Sequence, residues 1–406
     1  MQSYSKMEQS KIGVALVGTG FGQKVHIPGL QAHPRTEIVA VYHRDLHKAK
    51  DIASANNIPH ACNKIEDIVA IPEVQGVSIS TPPFTHYEMA KTVLQAGKHL
   101  LLEKPTTLVA SEARELYHLA IPPNPPLKRG GEDREGQLSP PWVRGARGDQ
   151  SAIATMDFEF RFVPSWQMLA EMLSAEYVGQ KRLIKIDWLV SSRADATRPW
   201  NWYARKDQGG GALGAIGSHA FDYISWLFGP VRRLCAQLST SIPTRPDPTT
   251  GEMKPVDADD SCTIVLELAD GTPCQICISS VTYQGRGHWV EVYGDRGTLV
   301  LGSDNQKDYV HGFRLWAASA GKPLTEVEIP SRLNFSQNYA DGRIAPFIRV
   351  VDQWVQGIDA REAMTPSLRE GVYSQLLMDL AHQSNNINQW VEVPDLEDFL
   401  AGIAKC

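Results

Sequence analysis

The feature that most constrains this chain is a short apolar run that ends in a glycine-rich turn. Ile12-Gly13-Val14-Ala15-Leu16-Val17 leads directly into Gly18-Thr19-Gly20-Phe21-Gly22. A run apolar on both faces reads as a buried parallel strand. A glycine turn between such a strand and a helix has a specific use. Gly18 permits the tight turn, Gly20 lets the backbone approach a pyrophosphate, and the helix start supplies free N–H groups to the anion. Phe21 opens that helix. A third glycine belongs at position 23, where Gln23 stands; Gly22 comes one residue early, so altered helix–strand packing is expected.

Beyond the turn the same alternation repeats. The pattern predicts helix over 20–32, strand over 37–42, helix over 45–56, strand over 77–80, helix over 85–96, strand over 99–102 and helix over 108–119. Thr85 and Glu88 have capping-box spacing, and Gly97 stands where a helix should stop. Strands and helices at this spacing mean βαβ units. Residues 11–120 therefore read as a doubly wound parallel sheet of Rossmann type that binds a dinucleotide, behind a loose polar tail over 1–10.

The nature of the dinucleotide is read at the end of the second strand. An unphosphorylated ribose asks for a carboxylate there, but His43 and Arg44 occupy the position. Arg44 is placed to stack on adenine and pair with a 2′-phosphate, so NADP is expected in preference to NAD. Asp45 is expected to cap the next helix.

Residues 121–150 (IPPNPPLKRGGEDREGQLSPPWVRGARGDQ) change texture abruptly and read as a disordered insertion rich in Pro, Gly and Arg. Beyond it, AIATMDFEFRF is expected as strand, then a helix over 165–175 and a series of alternating runs: KRLIKIDWLV, VRRLCAQLST, CTIVLELADG, QICISSVTY, HWVEVYG and GFRLWAAS. Their period of two indicates a large open, mostly antiparallel sheet, with helices near 212–227, 345–357 and 367–384 on its packed face. The whole is thus an α/β chain: a Rossmann half, then an α+β half over 151–394. The last segment is a candidate to pack back on the first half.

Composition excludes several classes of function. A net charge of −6 argues against nucleic-acid binding. No run approaches the roughly 20 apolar residues that span a bilayer, and the polar start lacks a signal peptide's apolar core, so a cytoplasmic protein is expected. Cys274 and Cys277 form a CxxC inside a strand-like run, where residues three apart face opposite ways. The cysteines read as reduced packing residues, and no metal is expected.

Two further stretches carry a resemblance. Thr81-Pro82-Pro83-Phe84-Thr85-His86 with Glu103-Lys104-Pro105, and then Gly209-Gly210-Gly211 leading to Gly217-Ser218-His219-Ala220-Phe221-Asp222, resemble the glucose–fructose oxidoreductase, inositol dehydrogenase and rhizopine-catabolism family (Gfo/Idh/MocA). The resemblance implies oxidation or reduction of sugars, polyols and related small molecules. It also implies an open sheet that mediates homodimers or homotetramers. Lys104 is then the group that bonds the reacting oxygen, a cis bond before Pro105 would set its direction, and His219 is the second proton-transfer candidate. Asp222 shares the helix face of His219 and is a candidate to orient it. Thr81, Pro82, His86 and Glu103 are expected around the cofactor; Arg161, Trp200 and Trp202 around the substrate.

One position departs from the family pattern. The aspartate usually found four residues before the histidine is Ala215 here. Its loss opens two rival readings: a weakened NADP-binding sensor, and an NAD-dependent nonredox enzyme such as a glycosidase.

Overall fold

The computed structural model describes residues 10–120, 152–305 and 311–403. The tail over 1–9, the expected insertion over 121–150 and Cys406 lie outside them. The first sheet is built from β1 (Ile12–Val17), β2 (Thr36–Tyr42), β3 (His60–Cys62), β4 (Gly76–Ile79), β5 (His99–Leu102) and β6 (Ala154–Met156). It is parallel throughout, in the order β3-β2-β1-β4-β5-β6. Strand order reverses between β1 and β4, which opens a crevice at their carboxyl ends.

The second sheet is nine-stranded. It is built from β7 (Lys181–Leu189), β8 (Val231–Ser239), β11 (Ser261–Leu268), β12 (Pro273–Ser279), β13 (Gly287–Gly294), β14 (Gly297–Ser303), β15 (Arg314–Ser319), β16 (Thr325–Glu326) and β17 (Val391–Glu392). The hairpin of β9 (Thr244–Pro246) and β10 (Met253–Pro255) stands apart. All neighbours are antiparallel except β7 and β12. On β12, Cys274 is buried and Cys277 half-buried, alternating as the strand period requires.

Several local expectations are corrected. The expected helix over 20–32 is two pieces, Phe21–Lys24 and His26–Ala32. Pro28 explains the break: it has no N–H for the carbonyl of Lys24, and its ring crowds that carbonyl. Thr85 does not cap the following helix. A 3-10 turn over Pro83–Thr85 runs straight into it, and the hydroxyl turns back to Thr81 Oγ1 (2.7 Å) and Pro82 O (2.9 Å). Asp45 does cap, accepting from the N–H groups of His47 and Lys48. The run expected as one strand over AIATMDFEFRF is strand only at Ala154–Met156, where it completes the first sheet; Glu159–Phe162 is a 3-10 turn.

The helix Ile344–Ala360 covers the first sheet, not the second. Phe347, Val350, Val351 and Trp354 form one buried stripe against Leu16, Leu30 and Val41. The helix Leu368–Ile387 does cover the second sheet, and it also packs on Ala110 and Ala113 of the first half. The two halves therefore share apolar cores instead of merely touching. No helix among the described residues is long and apolar enough to cross a membrane.

Trp354 is fully buried, and its ring lies 2.5 Å from where a Cβ on Gly76 would stand. Trp354→Ala should lower unfolding stability by about 3–5 kcal/mol in urea titrations, as expected for an aromatic ring removed from a close-packed core.

Candidate active site

The carboxyl ends of β1, β4 and β5 bring three loops together. Gly18 has φ +105°, and a Cβ there would lie 2.6 Å from the Ser80 carbonyl carbon. Only glycine lets the first loop lie this close to the Ser80–Thr81 turn. Gly22 supplies the close helix–strand contact that a glycine at 23 would have made: a Cβ would stand 2.4 Å from Ser80 Oγ. Gly20 differs, since nothing lies within 4 Å of its would-be Cβ. The protein does not fill the space beside Gly20, so a pyrophosphate fits against the turn.

The second and third loops are tied by His86. Its buried ring is 2.7 Å from Thr81 O through Nε2 and 2.9 Å from Pro105 O through Nδ1. Burial lowers its pKa, so the neutral ring donates its one N–H to one of these two carbonyls and packs its other nitrogen against the second, spacing the Thr81-Pro82 turn from the Glu103-Lys104-Pro105 segment. The Lys104–Pro105 peptide is cis.

Glu103 points inward. Its Oε1 accepts from His26 Nε2 (3.1 Å) and its Oε2 from the main-chain N–H of Lys104 (3.2 Å). His26 is wholly buried, stacked on Phe347 at 4.2 Å, with Nδ1 2.7 Å from Ser78 Oγ and Nε2 3.6 Å from Asp157 Oδ2. Complete burial disfavours the imidazolium, but hydrogen bonding and attraction from Asp157 and Glu103 outweigh it and hold His26 at about 9. Burial raises Glu103 too, yet His26 and then Lys104 bring it below the usual carboxylate range. Asp157 goes the other way, raised by burial and by the Glu103 charge. Within the cluster His26 is held charged and Glu103 ionised, while Asp157 is shifted towards its protonated form. They are the one group of metal-ligand type among the described residues, but the direct His26–Glu103 bond already satisfies the imidazole.

Lys104 crosses to the second half. Its ammonium donates to the main-chain oxygen of Ala215 at 3.1 Å. Ala215 lies in a π-helical turn, Leu213–Gly217, that continues into the helix Ser218–Phe228 carrying His219. Asp259 holds the start of this turn, since its carboxylate accepts from Leu213 N (2.8 Å). Gly209 (φ +73°) packs it against the first half, with a would-be Cβ 2.8 Å from Pro83 Cβ. His219 is buried among aromatic rings, edge-on to Phe160 at 4.9 Å and 6.1 Å from Trp188. Burial, then Lys104 and His288, push its pKa well below the usual value, so the ring is neutral. Its Nδ1 has no hydrogen-bond partner.

The remaining expected site residues are held as follows. Asp222 does not hydrogen-bond His219; it takes Arg161 in a two-pronged pair, Nε to Oδ2 at 3.0 Å and NH2 to Oδ1 at 2.6 Å. Burial pushes Asp222 up to about 6 despite that partner. Trp200 donates from Nε1 to Pro255 O (2.9 Å), on the β9–β10 hairpin, and half-buried Trp202 sits edge-on to Tyr203. His43 is half-buried and accepts the Asp45 N–H at 2.9 Å, while Arg44 is exposed beyond β2. His26, Ser78, Asp157 and Asp259 escape a reading of the sequence. None belongs to a spaced motif, and burial, which marks them, is a tertiary property.

Comparison with known proteins agrees with this arrangement. Residues 12–122 match the oxidoreductase family's NAD-binding Rossmann fold, and residues 170–393 its C-terminal alpha/beta domain. A protein of Synechocystis described as an uncharacterized oxidoreductase is 54% identical over 389 residues, covering 96% of this chain and 98% of its own. Levoglucosan dehydrogenase of Pseudarthrobacter phenanthrenivorans is 22% identical over 420 residues, covering 95% of this chain and 99% of its own. A solved structure of levoglucosan dehydrogenase in complex with NADH and L-sorbose superposes with TM-score 0.79 at 20% identity, covering 95% of this chain and all of that one. The chain belongs to the Gfo/Idh/MocA family of oxidoreductases, whose first domain binds a nicotinamide dinucleotide.

The His26 pair has a measurable signature. A histidine raised from 6.5 to about 9 contributes stability that is complete below pH 6.5 and lost as pH rises towards 9. Over that interval the native protein should lose about 3 kcal/mol more than His26→Gln. Urea unfolding of both proteins at each pH checks the difference.

Proposed function

We propose that the protein is an NADP(H)-preferring oxidoreductase acting on a carbonyl/alcohol pair of a sugar-like or polyol compound. The observation that carries this reading is the Lys104 ammonium, held on the Ala215 carbonyl where the segment bearing His219 meets the dinucleotide loops. The name of the levoglucosan dehydrogenase relative supports a sugar-like substrate. A bound nicotinamide supplies hydride exchange at its C4. Gly18, Gly20 and Phe21 would hold the pyrophosphate, Thr81 and Pro82 the adjoining ribose and ring, and His43 and Arg44 the adenosine end. His86 and Glu103 act one step back, by positioning the Thr81 turn and Lys104.

The protein's own groups then divide the proton work. Lys104 Nζ spends one N–H on Ala215 O and keeps others for the reacting oxygen, where a cation stabilises developing negative charge. Neutral His219 has a ring nitrogen able to take the hydroxyl proton during oxidation and return it during reduction. Its low basicity favours handing the proton on over keeping it. The aromatic rings around it exclude water. Assembly into a homodimer or homotetramer through the open second sheet belongs to the same proposal.

Ala215 favours one alternative, a sensor that binds cofactor without efficient turnover. A panel of keto-sugars and polyols with NADPH and NADP separates the two. The oxidoreductase reading expects turnover, with Lys104→Met lowering kcat at least ~100-fold while NADPH still binds. Tight NADPH binding with no turnover on any substrate would leave the sensor.

Cofactor choice gives a second test. Arg44→Asp replaces a 2′-phosphate partner with a repelling charge and should reverse the NADP/NAD ranking in thermal-shift or kcat/KM measurements. An unchanged ranking would remove Arg44 from the adenosine site.

A further inference from the structure

The loop after β7 carries a cation without a counter-ion. Arg193 is half-buried, its guanidinium carbon 3.9 Å from the centre of the Tyr203 ring. Among the described residues no carboxylate pairs with it. Burial lowers its pKa against the opposing pull of the hydrogen-bonded Tyr203 side chain, and the neighbouring charges of Arg198 and Arg245 act in the same direction as burial. The surrounding carboxylates are committed elsewhere. Asp195 accepts from Thr197 N (2.8 Å) and Oγ1 (2.7 Å), and Asp260 from Ser241 N (2.7 Å) and Ile242 N (2.9 Å). Arg245 is spent on main-chain oxygens, those of Asp195 (2.7 Å) and Arg193 itself (2.6 Å). Arg161, expected around the substrate, is neutralised by Asp222. Arg193 is not.

The segments around Arg193 are tied through their main chain to the turn that receives Lys104. Arg193 N donates to Ser280 O (2.8 Å), just past β12. Near the end of that strand, Ile278 Cδ1 lies 3.8 Å from where a Cβ on Gly217 of the π-helical turn would stand. Tyr203 O accepts from Gly211 N (3.1 Å), and Gly211 O accepts from Ala215 N (3.1 Å). Ala215 in turn holds Lys104. A half-buried guanidinium whose neighbour is a neutral phenol still lacks a counter-charge, and such charges collect where a ligand supplies one. A guanidinium braced on an aromatic ring keeps its fork of donors ready for a two-pronged bond to carboxylate or phosphate.

We propose that Arg193, with Arg198 and Arg245 behind it, binds an anionic group of the substrate, so that the natural substrate is a sugar acid or sugar phosphate and not a neutral sugar. The proposal rests on the sugar-like reading above and adds the charge. It is tested by calorimetric titration of the NADPH-loaded protein with glucuronate, glucose 6-phosphate and glucose at one ionic strength. At least one charged sugar should bind tenfold or more tighter than glucose, and the two charged probes distinguish carboxylate from phosphate. Arg193→Met should reduce that charged-to-neutral ratio at least tenfold. Arg193→Lys, which keeps the charge but loses the fork, should retain part of it and carries the test if the methionine variant does not fold. Charged probes that bind no better than glucose, or a ratio preserved in a folded variant, would overturn the proposal. Cofactor binding is measured first: failure to bind NADPH or NADH defeats the oxidoreductase reading, whereas cofactor binding without charge preference defeats the anion subsite alone.

Discussion

One hydrogen bond joins the chemistry of the two halves: the Lys104 ammonium on the Ala215 carbonyl. Everything around it holds its ends. On the first half, the Lys104 main chain is clamped by Glu103, and Glu103 is kept ionised by a wholly buried imidazolium at His26. On the second, Asp259 and the glycine run set the π-helical turn that presents the carbonyl. An ion pair removed from water gains little net stability, but breaking it strands a charge. The cluster is therefore better suited to holding one geometry than to adding stability.

The same bond bears on the replaced aspartate. Residue 215 still receives Lys104, through its main chain, although its side chain brings no carboxylate. What is lost is a negative charge beside the ammonium. Among the described residues Lys104 forms no ion pair with a carboxylate of the second half, and His219 near it is neutral.

Much of this is legible in the sequence, for reasons that can be named. The strand-turn-helix at Gly18 and the alternating runs of the second half are local patterns, and the structure realises both. Asp45 caps its helix because a cap needs only the next three residues. The failures are equally physical. Helix Ile344–Ala360 has an apolar stripe that periodicity detects, but periodicity does not say which sheet it covers. Asp222 shares a helix face with His219, yet Arg161 arrives from a distant turn and takes the carboxylate. His26 and Asp157 gain their role only when the helix His26–Ala32 and the end of β6 bring them beside Glu103.

The central claim is geometric, and a crystal structure of the protein with NADPH bound tests it most directly. The Lys104 nitrogen should face the nicotinamide ring, with room for one substrate oxygen at roughly 3 Å from it and His219 on the same side. A Lys104 nitrogen turned into bulk solvent, away from the ring held by the Gly18–Gly22 turn, would contradict it.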